Sequence, residues 1–135
     1  MPVRKVIVPP GMEPLVERFR YSPGVLVDHT LHIAGMVGRR PDMTVVEEPE
    51  AQFAQALDNV GAVLRAAGAT FADVVEMETW FTDFRTHLPT FLRVKDRYFT
   101  SAPYPTWTGF GVTEFSTPGI ICEIKCTAVI GATDA

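Results

Sequence analysis

The fold this sequence predicts is α+β: one mixed or antiparallel sheet with two helices packed on a single face. Three observations lead there. Short β-rich runs outnumber helical ones, and prolines and glycines set them apart. Two amphipathic helical patterns lie between strands rather than following one another. The chain has 135 residues, which suits one domain, so residues 1–135 are read as a single unit.

The elements follow in order. Residues 3–8 read as a short strand stopped by Pro9 and Pro10. Residues 25–27 and 31–37 are two β-rich runs joined by Asp28, His29 and Thr30, a hairpin signal. Residues 38–42 form a polar turn. The clearest element is a helix over residues 50–67. There Phe53, Ala56, Leu57, Val60, Leu64 and Ala67 make one apolar stripe, with Pro49 suited to the first turn and Gly68 to the C-cap. Gly61 is expected on its exposed side.

Residues 73–81 read as a strand in which Val75, Met77, Thr79 and Phe81 form the more apolar face. A second helix is predicted over residues 88–99, with Pro89 in its first turn and Leu88, Phe91, Leu92 and Phe99 on the buried stripe. A proline-broken loop over residues 101–105 leads to strands over 107–112 and 119–130. The face of the sheet away from the helices has no cover within a chain of this size. Other copies of the chain are the economical cover, because an exposed apolar face aggregates.

Composition narrows the function classes. With 47 % apolar residues the chain can build a core, so disorder is not expected. A net charge of −4, with no basic cluster beyond Arg39 and Arg40, gives no footprint for nucleic acid. No apolar run approaches the roughly 20 residues of a membrane-spanning helix. The first residues lack the apolar core of a signal peptide, so the expected location is cytoplasmic. Cys122 and Cys126 share one face of a strand about 13 Å apart, beyond disulfide reach and without a zinc-ligand pattern. No metal and no cofactor is expected. His29, His32 and His87 have no metal-ligand spacing, and no serine or cysteine shows a nucleophile relay.

Five segments resemble the RidA/YjgF family of reactive intermediate deaminases. They are Tyr21-Ser22-Pro23-Gly24, Leu31-His32-Ile33-Ala34-Gly35-Met36, the helical run from Gln55 to Gly68, Phe81-Thr82-Asp83, and Ile121-Cys122-Glu123-Ile124-Lys125. The helical run is the most specific of them. The resemblance implies a chorismate-mutase-like fold and a homotrimer that binds small molecules in clefts between subunits. It also implies roles. Glu123 matches the glutamate that positions the attacking water, and Tyr21 the tyrosine that packs on the ligand. Gly35 and Ala34 lie in the glycine strand of the cleft, with His32 where the family often has an aromatic residue. Thr108 and Trp107 belong to the strand that brings the carboxylate-binding arginine.

That strand departs from the family pattern. It reads Pro105-Thr106-Trp107-Thr108-Gly109-Phe110, and Trp107 stands where the arginine is expected. An indole has one N–H donor and no charge, so it does not replace a two-pronged cation. Arg20, Arg39 and Arg40 are the cations left to act from another direction; as a group they read as surface residues.

The expected function is therefore action on a small imine, enamine or unsaturated metabolite. The reaction is hydrolytic deamination or a related tautomerisation or ring opening, with Glu123 and Tyr21 as the catalytic pair. The standard 2-aminoacrylate type of substrate is not expected. The alternative is a non-catalytic trimer that uses the cleft to bind a small molecule or a partner.

Overall fold

A computed structural model describes residues 1–135. The chain runs β1 (Arg4–Ile7), α1 (Glu13–Phe19), β2 (Gly24–Val27), β3 (Thr30–Ile33), β4 (Met36–Val37), α2 (Pro49–Ala66), β5 (Val74–Phe81), α3 (Phe84–Lys95), β6 (Thr106–Gly111) and β7 (Cys122–Val129). The strands form one sheet in the order β1-β2-β3-β7-β5-β6, with β4 also pairing with β7. All pairs are antiparallel except β5 with β6, so the sheet is mixed.

α2 forms as its sequence directs. The Glu48 carboxylate accepts from the N–H groups of Glu50 (3.1 Å) and Ala51 (2.8 Å), satisfying two donors that no helical carbonyl can reach. Its apolar stripe lies on the sheet, and Phe53, Ala56, Leu57, Val60 and Leu64 are fully buried. Gly61 is buried too, contrary to the sequence expectation. A Cβ there would lie 3.1 Å from Cε2 of Phe71, so the missing side chain serves close packing.

Aromatic rings tie α2 and α3 to the sheet. Phe91 meets Phe53 edge-to-face at 5.7 Å and Phe81 at 4.9 Å, and Phe84 stacks on Phe81 at 4.7 Å. α3 begins at Phe84, four residues earlier than its sequence signals indicate, so Pro89 lies inside the helix. The helix ends at Lys95, and its stripe shifts accordingly: Val94 is buried and Leu92 is exposed.

Two bulges reset which side chains face the helices. On β5 the register against β7 slips between Val74 and Glu76, leaving Val75 as an extra, exposed residue while Val74, Met77, Thr79 and Phe81 are buried. The second bulge splits the predicted run 31–37 into β3 and β4. His32 pairs with Thr127 and Met36 with Ile124, so Ile33, Ala34 and Gly35 face only Lys125 and Cys126.

The helix-bearing face of β7 carries Cys122, Ile124, Cys126 and Ala128, all buried. Burial pushes both thiols up, Cys126 to about 12, so both pack as neutral thiols. The opposite face of β7 carries Glu123, Lys125, Thr127 and Val129 and has no helix against it. α1 was not foreseen from the sequence. It is seven residues long, buries only Leu15, and ends at Arg20 in a left-handed conformation. No helix is long and apolar enough to cross a membrane.

Candidate functional site

The bulge between β3 and β4 builds the site. Glu123 pairs with Val37 across β4, and its side chain folds toward Gly35. A Cβ at Gly35 would lie 2.9 Å from Cδ of Glu123, a distance that real side chains do not tolerate. Only glycine leaves room for the carboxylate here. Burial raises the pKa of Glu123, and Arg39 opposes part of that shift.

Tyr21 follows α1 and reaches the same region. It is 39 % exposed, and its hydroxyl pKa is raised, first by burial and then by the charge of Glu123, against a lowering by Arg39. At neutral pH Tyr21 is therefore a phenol able to donate a hydrogen bond. Tyr21, Arg39 and Glu123 thus lie within one another's electrostatic reach.

Arg39 is held from several directions. Its backbone N–H donates to the Val37 carbonyl at 2.8 Å, and its own carbonyl accepts from Nδ2 of Asn59 at 2.8 Å. Nδ2 of Asn59 also donates to the Val37 carbonyl at 2.9 Å, while Oδ1 of Asn59 accepts from Gln55. The guanidinium donates through Nη2 to Oγ1 of Thr117 at 2.7 Å. Fully buried Gln52 braces the neighbouring backbone, donating to the carbonyls of Val46 and Gly119 and accepting from the N–H of Ile121.

Beside this group lies a cavity of about 100 Å³. Its lining includes Met12 and Leu15 of the α1 region, Asn59 of α2, and Tyr21, Gly35 and Arg39. The lining mixes apolar side chains with the Arg39 and Arg40 cations and the Tyr21 phenol, the mixed chemistry of a small-molecule site.

The other sequence-predicted residues are placed as follows. Ala34 is half-buried in the bulge next to Gly35. His32 is exposed on the open face of β3, opposite Thr127 of β7. Thr108 pairs with Glu78 and is exposed on the same open face as Glu123, with β5 between their strands.

Trp107 does not join Glu123 within one chain. Neighbouring strand residues point to opposite faces, and Trp107 pairs with Met77 on the helix-bearing side. Its Nε1 donates to Oγ1 of buried Thr79 at 2.9 Å, its ring lies 5.9 Å from Phe91, and Nζ of Lys95 sits 5.5 Å over it. Of the three arginines that the sequence offers as cations from another direction and that read as surface residues, Arg39 is half-buried beside Tyr21 and Gly35 in the cavity lining, whereas Arg20 and Arg40 are exposed.

Fold and site together define a RidA-type α+β domain, and the chain belongs to the RidA/YjgF family. A family model described as endoribonuclease L-PSP matches residues 13–130. The RutC family protein YjgH of Escherichia coli is 35 % identical over 127 residues, covering 94 % of this chain and 95 % of that protein. A goat (Capra hircus) 2-iminobutanoate/2-iminopropanoate deaminase is 35 % identical over 120 residues, covering 82 % of this chain and 80 % of that one. The solved structure of YjgH superposes with a TM-score of 0.87 over 96 % of this chain and 98 % of that chain, at 35 % identity. The structure of Rv2704 of Mycobacterium tuberculosis, described as a member of the YjgF/YER057c/UK114 family, gives 0.79 at 26 % identity, over 95 % of this chain and all of that one.

Proposed function

We propose that this protein hydrolyses a small imine or enamine metabolite at the Tyr21–Gly35–Glu123 site. The observation that carries the reading is the half-buried Glu123 carboxylate lying against Gly35, its pKa raised by burial, with the Tyr21 phenol within its electrostatic reach. A carboxylate shifted upward exchanges protons more readily near neutrality than an exposed one.

In the hydrolysis, Glu123 accepts a proton from water as the water oxygen bonds to the imine carbon, and passes that proton to the imine nitrogen, giving a carbinolamine. Glu123 then takes the proton of the carbinolamine hydroxyl and delivers it to nitrogen as the C–N bond breaks. Both water protons end on nitrogen, ammonia leaves, and the carbon becomes a carbonyl. Tyr21 donates to the substrate and walls the site, while Gly35 and Ala34 leave the backbone open to the reacting carbon.

The identity to iminobutanoate/iminopropanoate deaminases supports the reaction class. Trp107 in place of the expected arginine leaves β6 without a carboxylate-binding cation, which argues against the 2-aminoacrylate type of substrate being held from that strand. The same replacement favours a second reading, a trimer that binds without catalysis.

We also propose a homotrimer. The open sheet face carries Val25, Val27, Trp80, Phe110 and Val129 with no helix over them, and β6 is an edge strand. In this arrangement the β6 edge of one copy, with Thr108 and the exposed part of Trp107, reaches the Tyr21–Glu123 site of the next, and His32 lies on the covered face. Ammonia release from imines generated in solution, measured with and without the protein, tests the proposed reaction.

A further inference from the structure

We propose that Arg39 is the anion anchor of this site, so the ligand carries a carboxylate that is held from the β4–α2 connection rather than from β6. The inference rests on the Tyr21–Gly35–Glu123 region being the ligand site and adds the chemical class of the ligand.

The three arginines near the site are not equivalent. Arg20 caps α1 and is exposed. Arg40 also lines the cavity, but it is exposed, and its guanidinium donates to Oγ1 of Thr44 at 3.2 Å. Arg39 is half-buried, and its backbone is fixed by Val37 and Asn59. Its bond to Thr117 uses one of five N–H donors. The chain's two ion pairs are Lys95–Asp96 and Arg97–Glu50, so no carboxylate of the chain is in ion-pair contact with Arg39.

Glu123 is within electrostatic reach of Arg39 but not in contact with it. A half-buried guanidinium needs a counter-charge more than an exposed one does. A ligand carboxylate between Arg39 and the Tyr21 hydroxyl supplies it through charge-assisted hydrogen bonds. The apolar part of the lining, Met12 and Leu15, then receives the ligand's hydrocarbon part.

The test is calorimetric titration with 2-oxobutanoate and benzoate, against the uncharged butanone and benzamide. The intact protein is expected to bind at least one carboxylate about tenfold or more tightly than its uncharged counterpart. Arg39→Gln should abolish that preference. Arg39→Lys should restore part of it, and Thr117→Val, which frees the guanidinium without removing it, should weaken binding by a smaller factor. Circular dichroism melting of each variant separates loss of binding from loss of fold.

Equal binding of charged and uncharged probes by the intact protein overturns the proposal. So does a carboxylate preference that survives Arg39→Gln, or one that Arg40→Gln removes instead. Arg39-dependent carboxylate binding without imine hydrolysis upholds the anchor and rejects the hydrolase reading. Imine hydrolysis that Arg39→Gln leaves intact, with no carboxylate preference, does the reverse.

Discussion

The carboxylate of Glu123 occupies the volume that a side chain at Gly35 would need, with Cδ of Glu123 2.9 Å from where that Cβ would stand. Gly35 lies between β3 and β4 while Glu123 is on β7, and the two meet because the β3–β4 bulge adds one residue opposite β7. The position of the candidate acid/base therefore depends on a residue that bears no functional group.

Gly35→Ala should displace the Glu123 carboxylate while leaving the core untouched. Imine hydrolysis is expected to fall about tenfold to a hundredfold, the range for a catalytic group misplaced by about 1 Å. Thermal unfolding should move little by comparison. Unchanged activity would show that the contact does not set the carboxylate's catalytic position.

Glu123→Gln should change how stability depends on pH. The folded-state pKa of Glu123 lies above its ordinary value of 4.5, chiefly through burial. Below that ordinary value the carboxyl is protonated both folded and unfolded, and nothing is lost. As pH rises toward the folded pKa, the unfolded chain releases the proton first and stability falls. The glutamine does not titrate. The variant should therefore gain on the natural protein as pH rises from 4 to 8, read as the difference in melting temperature. A difference that moves the other way contradicts the upward shift.

Association is checked by mass. Light scattering should give about three times the 14.9 kDa chain mass. A monomer at micromolar concentration would remove the β6 edge from its neighbour's site, and with it the proposed roles of Trp107 and Thr108.

Trp107→Phe tests the placement of that residue within the chain. The change removes the 2.9 Å bond from Nε1 to Thr79, whose hydroxyl keeps only a 3.4 Å contact to the Thr108 carbonyl. A loss of about 1 kcal/mol in urea-unfolding stability is expected for one buried neutral hydrogen bond. No loss would mean that the indole N–H is satisfied elsewhere, as by a ligand or a neighbouring copy.

Much of this was legible in the sequence, and the limits have physical causes. α2 spans 18 residues, enough turns for its stripe to declare itself. α1, with seven, offers too few periodic positions. Pro89 reads as a helix start because proline is common there, yet α3 holds it in its interior. Bulges leave little local signal, so the alternation in the sequence puts Val75 rather than Val74 on the inward face of β5 and makes β3–β4 one continuous run. Glu123, Tyr21 and Gly35 came from family resemblance. Arg39 did not, because its importance lies in the path of the backbone past Asn59 and Thr117, which no local pattern encodes.

The central claim is that Glu123 drives imine hydrolysis, and one comparison tests it most directly. Imines generated from a panel of amino acids by an amino-acid oxidase decay spontaneously, and the rate can be followed by ammonia release or by trapping the remaining imine. The natural protein should accelerate hydrolysis of at least one of them, and Glu123→Gln should return that rate to within about tenfold of the spontaneous one, given the typical 10²–10⁴-fold contribution of a general acid or base. If the natural protein accelerates none of the imines, or if Glu123→Gln hydrolyses them as fast as the natural protein, the account is contradicted and the trimeric binder becomes the better reading.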